Sequence, residues 1–133
     1  MKNIDIINLC NAGFLTATGH SLPVEHFYKF IKWKRSAQKA YEEATKSQRA
    51  FLTEAGLTID DARPGANPDA EKAKRYNALN EAMLDEEVEM PAVRIPLECY
   101  KGLYDENKTE NGDLFANLLV EGIVLDNLFE KEE

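Results

Sequence analysis

Residues 21–56, "SLPVEHFYKFIKWKRSAQKAYEEATKSQRAFLTEAG", constrain this chain more than any other stretch. Pro23 suits a first helical turn with its fixed φ, with Ser21 or Leu22 at the cap, and Glu25 sits where the helix dipole favours negative charge. Val24, Phe27, Ile31, Ala37, Tyr41, Ala44, Gln48, Phe51, Leu52 and Ala55 then recur at spacings of three and four. That is the apolar stripe of an amphipathic helix. Gly56 reads as the residue just past its end. A helix over 22–55 extends about 50 Å at ~1.5 Å per residue. A chain of 133 residues does not readily wrap such a rod, so part of the stripe is expected to meet another helix or another chain.

The flanking segments fit around that helix. In 1–20, Ile4, Ile6, Ile7, Leu9, Phe14 and Leu15 form a short apolar segment compatible with helix or strand, and helix is preferred. "TIDDARPGANPDA" is rich in proline and turn formers and reads as a loop. Asp69 is positioned to cap a second helix over 69–86, through Ala73, Tyr76, Leu79, Met83 and Leu84. The loop allows this helix to fold back on the first as an antiparallel hairpin. Over 87–95 the alternation of Glu87/Glu89 with Val88/Met90 has the period of an extended segment, and Pro91 restricts it to an edge or a kink. Residues 97–128 hold "LECYKGLYDEN", a polar turn "KTENG", and "DLFANLLVEGIVLDNLF" with Asp113 as its cap; the tail "EKEE" is solvated. The expected fold is a single mainly α domain: a long antiparallel helical hairpin, a short extended segment and a small C-terminal helical cap.

Charge is unevenly placed on a chain whose net charge is −8. Residues 1–56 hold eight Lys/Arg against five Asp/Glu, 57–80 hold four of each, and 81–133 hold four against fifteen. The acidic C-terminal half argues against non-specific nucleic-acid binding by the whole molecule. The basic excess of the first half is free to be matched internally or across a subunit interface. The N-terminus lacks the apolar core of a secretory signal and no apolar run approaches the ~20 residues that cross a bilayer, so a cytoplasmic location without membrane contact is expected. Cys10 and Cys99 have no cysteine or histidine partner at ligand spacing and read as reduced, buried thiols, with a disulfide between them as the alternative.

No catalytic signature stands out. "DENKTENGDLFA" (105–116) places oxygen donors at alternate positions, but Glu110 occupies the turn position that a calcium loop gives to glycine, and Ala116 the closing position of its glutamate. His20 and His26 are six apart, a spacing that suits no helical metal pair. Phosphate-binding glycine loops and nucleophile elbows are absent. Neither an enzyme nor a cofactor or metal is expected. Two features lend themselves to binding. Phe27, Phe30, Trp33 and Tyr41 crowd the first half of a helix too long for its own domain and are the candidate intermolecular contacts. Lys29, Lys32, Lys34, Arg35 and Lys39 surround two of those rings, a mixture able to contact phosphates and stack on bases. They also suit the outer positions of an amphipathic helix, or a basic face that receives the acidic segment of a neighbouring subunit.

The order of these segments resembles that of small α-helical proteins of unknown function encoded by tailed bacteriophages and prophages. The resemblance rests on the "SLPV" entry, the "YEEATKSQRAFLTEAG" close of the long helix, and "YNALNEAMLDEEVEM" at 76–90. Ile95 with Leu97 and then Asp113-Leu114 complete it, over residues 20–128, and the "ENKTENG" turn is longer than the pattern. It implies a phage or prophage setting, in the bacterial cytoplasm or the virion, and carries no catalytic residues with it. The expected function is a non-enzymatic assembly, accessory or interaction protein acting through helical faces, its partner a second copy of itself or another phage protein. One alternative is an acidic inhibitor that mimics nucleic acid against a host nuclease or DNA-binding protein. Another is nucleic-acid binding through 29–39.

Overall fold

The long helix is unbroken. In the computed structural model, which describes residues 1–109 and 112–131, α2 runs Val24–Glu54, 31 residues and about 46 Å at ~1.5 Å per residue. It starts slightly later than expected, because Pro23 is the cap itself: its carbonyl accepts the His26 and Phe27 N–H groups at 2.9 and 2.8 Å. It stops where Gly56 predicts. Gly56 takes φ +78°, and the Gly56 and Leu57 N–H groups turn back to the Thr53 and Leu52 carbonyls at 3.0 and 2.8 Å. This paired closure satisfies carbonyls that a helix end otherwise leaves bare.

Among the described residues four further α-helices are α1 (Asn3–Asn11), α3 (Ala70–Leu84), α4 (Tyr100–Glu106) and α5 (Leu118–Leu128), so the fold is mainly α. The N-terminal segment is helical as preferred, followed by a 3-10 turn at Phe14–Thr16. Asp69 caps α3, its carboxylate accepting the Lys72 N–H at 3.1 Å. The cap of α5 differs from expectation. Asn117, not Asp113, accepts the Leu119 and Val120 N–H groups, because a 3-10 turn at Leu114–Ala116 lies between Asp113 and the helix. Asp113 instead belongs to a two-residue hairpin strand, β2 (Gly112–Asp113), antiparallel to β1 (Lys108–Thr109). Of the polar turn and the tail, Glu110, Asn111, Glu132 and Glu133 lie outside the described residues.

Helices α2 and α3 form the expected antiparallel hairpin. Gln48 Nε2 donates to Asn80 Oδ1 at 3.1 Å, Arg75 pairs with Glu54 at 3.4 Å, and Lys72 packs against Gly56, so partners descend on one helix as they ascend on the other. Beyond α3 the chain is extended, tethered at both ends rather than laid into a sheet. The Val88 N–H donates to the Met1 carbonyl at 2.7 Å, and the Asn3 N–H to the Glu86 carbonyl at 3.0 Å. At the far end the Ile95 N–H donates to the Leu128 carbonyl at 2.8 Å, while its carbonyl accepts the Glu130 N–H at 2.9 Å.

The main core forms between the first half of α2, α1, α4, α5 and this tether. Phe14, Phe30, Trp33, Phe115, Phe129, Ile6, Leu9, Ile95, Leu103 and Leu128 are all buried in it. Among the described residues nothing between Glu42 and Glu87 joins that cluster. The second half of α2, with α3, therefore stands off the core as a two-helix arm, closed along its own seam by Ala44, Leu52, Ala55 and Met83.

Candidate functional site

The four aromatic side chains expected at an intermolecular surface do not share one. Phe30 and Trp33 are 0% and 1% exposed, edge-on to Phe14 at ring separations of 6.0 and 5.6 Å. Phe27 is half-buried and stacks on His20 at 5.9 Å; Tyr41 is half-buried and its hydroxyl donates to Asn11 Oδ1 at 3.0 Å. This corrects the expected surface. The buried stripe of α2 runs through Phe30, Trp33, Ala37, Ala44 and Leu52; Ala37, Ala44, Leu52 and Ala55 lie inward as the spacing predicts, but at the N-terminal end Phe30 and Trp33 take the inward place and Val24 is 86% exposed. This local shift has a tertiary cause. The turn after α1 delivers Phe14 onto the Phe30/Trp33 side of the helix, where burying large rings removes the most apolar area from water.

The basic stretch is split in the same way. Lys29 Nζ donates to the Arg94 carbonyl at 3.0 Å, and Lys34 Nζ to the Ala17 carbonyl at 2.7 Å. Partial burial lowers the pKa of Lys34. These two ammonium groups fasten loops to α2. Lys32, Arg35 and Lys39 are exposed and make no ion pair or hydrogen bond among the described residues. Lys46 and Arg49, two turns further on, are exposed and unpaired as well. With ~100° between successive residues, these five cations and the exposed Tyr28 fall within an arc of about 100°. The outer face of α2 is thus a basic stripe passing from the core onto the arm. Lys46 and Arg49 lay outside the stretch singled out from sequence, although their helical spacing from Lys39 was there to read.

Beside this stripe lies the acidic tether. Lys39, Ser36 and Glu43 of α2 line one open depression together with Glu87 and Glu89. Glu87 is occupied by the Met1 ammonium at 2.9 Å, and Asp85 by Lys2. Glu86 and Glu89 are exposed and hold no side-chain partner among the described residues.

A second polar cluster is structural. The Glu106 carboxylate, at the end of α4, accepts the Ser21 hydroxyl at 2.6 Å, the Ser21 N–H at 2.8 Å, the Thr18 hydroxyl at 2.8 Å and the His20 N–H at 3.0 Å. Burial raises the pKa of this carboxyl, but the donors from Ser21, Thr18 and His20 outweigh it and hold the group below its ordinary value. The cluster stitches the loop before α2 onto α4.

Cys10 is half-buried, and burial pushes its thiol up to about 11; Cys99 is raised too, by burial and by Glu98. Both therefore favour the unreactive thiol form. His20 stacks on Phe27, and His26 lies 3.4 Å from Glu25, so the two histidines do not converge on one centre. Among the described residues there is no group of three or more His, Cys, Asp or Glu able to hold a metal ion, and no helix is long and apolar enough to cross a membrane. Comparison of the chain with protein-family models, with curated proteins and with solved structures finds no match.

Proposed function

We propose that this protein acts by binding protein chains, its own included, rather than by catalysis, as an accessory or assembly component of phage or prophage origin in the bacterial cytoplasm or the virion. The observation that carries the reading is the outer face of α2. Among the described residues five cations stand without partners along a helix that leaves the core and continues as an arm, although the chain carries a net charge of −8 and has carboxylates to spare. A rigid helix offering regularly spaced, unsatisfied charge suits protein recognition, where electrostatic complementarity sets register and partner choice.

The other two binding modes fit the geometry less well. Phe30 and Trp33 are buried and Lys29 and Lys34 are tied to carbonyls, which removes the stacking platform and two phosphate contacts from a nucleic-acid site at 29–39. A nucleic-acid mimic needs a free row of carboxylates, yet Asp85, Glu87, Glu106 and Tyr100-bound Glu121 are engaged by the protein's own groups.

Sedimentation across low to high micromolar concentration tests self-association. A concentration-dependent dimer or larger species is expected, and a strict monomer over the whole range removes that part of the reading. Capsid, tail or other virion genes beside the coding gene are the expected neighbourhood; an unrelated metabolic operon contradicts the phage setting.

A further inference from the structure

We infer that the occupant of the basic stripe is the acidic tether of a second copy, in a reciprocal contact in which each copy's Arg35 and Lys39 face the other's Glu86 and Glu89. The inference rests on the self-association reading and deepens it by naming the surface.

Two observations carry it. Among the described residues the cations of the stripe have no partner, and neither do Glu86 and Glu89, so both halves of the charge pattern are available on the same molecule. The two halves also adjoin, because Lys39 and Glu89 line one open depression. A surface with a positive strip beside a negative one is self-complementary: a two-fold axis through the depression places each strip over its opposite, the arrangement an isologous dimer requires. The chain's net charge of −8 adds a general repulsion between copies, which makes the local pairing the determinant of docking geometry.

The test is a charge exchange. One variant carries Arg35→Glu and Lys39→Glu, the other Glu86→Lys and Glu89→Lys; all four side chains are exposed and unpaired, so far-UV circular dichroism should match the wild type. Each variant alone is expected to self-associate at least about tenfold more weakly than the wild type, a change of roughly 1.4 kcal/mol. An equimolar mixture is expected to regain the wild-type dimer as a heterodimer, since both contacts are then complementary again. Variants that dimerise as the wild type does would overturn the named surface while leaving self-association intact. A mixture that stays monomeric would overturn the reciprocal pairing. If the wild type is a monomer that retains a DNA oligonucleotide at low salt through Lys32, Arg35 and Lys39, the stripe binds phosphates and both the inference and the self-association reading fall.

Discussion

Asn107 holds Thr18 by both ends of its amide. Its Oδ1 accepts the Thr18 N–H at 2.9 Å and its Nδ2 donates to the Thr18 carbonyl at 2.9 Å, with a further bond to the Leu103 carbonyl at 2.8 Å. The side chain is buried, and the bonds join segments 89 residues apart. Asn107→Ala strips a part-buried loop N–H of its acceptor and the Leu103 carbonyl of a buried donor, and leaving such groups unsatisfied costs more than the net worth of the bond. The expected loss is about 2–4 kcal/mol in urea unfolding, taking the lost bonds and the orphaned groups together. A change within about 0.5 kcal/mol, the range of an ordinary surface substitution, would contradict the clamp.

Glu106, its neighbour, links this clamp to pH. Its folded pKa lies below the ordinary 4.5. Its stabilising contribution is therefore complete above the unfolded pKa and is lost as pH falls through the folded value. Stability of the wild type should exceed that of Glu106→Gln at pH 7, and the gap should close below the ordinary carboxyl range. Parallel denaturation curves at pH 7 and pH 3 check this; a gap that widens in acid would reverse the assigned direction.

The inward face of α2 makes a paired prediction. Phe30→Ala, which empties a fully buried aromatic site, should cost about 3–5 kcal/mol. Tyr28→Ala removes a ring that is 67% exposed, and should stay within about 0.5 kcal/mol. Thermal unfolding of the two variants separates them, and equal losses would mean that the stripe faces the other way.

Two glycines are expected to respond with opposite signs. Gly56→Ala forces a Cβ into φ +78°, at a cost of about 1–2 kcal/mol. Gly122 sits exposed inside α5 with open space where a Cβ would go, and Gly122→Ala should gain about 0.5–1 kcal/mol through helix propensity. Differential scanning calorimetry reads both, and a destabilised Gly122→Ala would contradict the open space at that position.

Whatever could be read from sequence was short-range. Gly56 ends α2 because its own φ allows the closure, and Asp69 starts α3 because its carboxylate reaches an N–H three residues on. The alternation after Glu87 marked an extended run because side-chain direction in extended backbone is a local property. The cap of α5 was misassigned to Asp113 within that same range, because Asn117 competes for the role and only the intervening 3-10 turn separates them.

Tertiary structure decided which flank of α2 faces inward. A helix with rings at Phe27, Phe30 and Trp33 and cations between them offers more than one apolar arc, and the choice depends on what arrives against it. Phe14, from a turn sixteen residues earlier in the chain than Phe30, made that choice by packing its ring edge-on against Phe30 and Trp33. The grip of Glu106 and Asn107 on the Thr18–Ser21 loop was equally hidden, since it joins groups 85 to 89 residues apart. Spacing along the chain sets what a backbone segment does by itself; which side chains lose water together is settled when the segments meet.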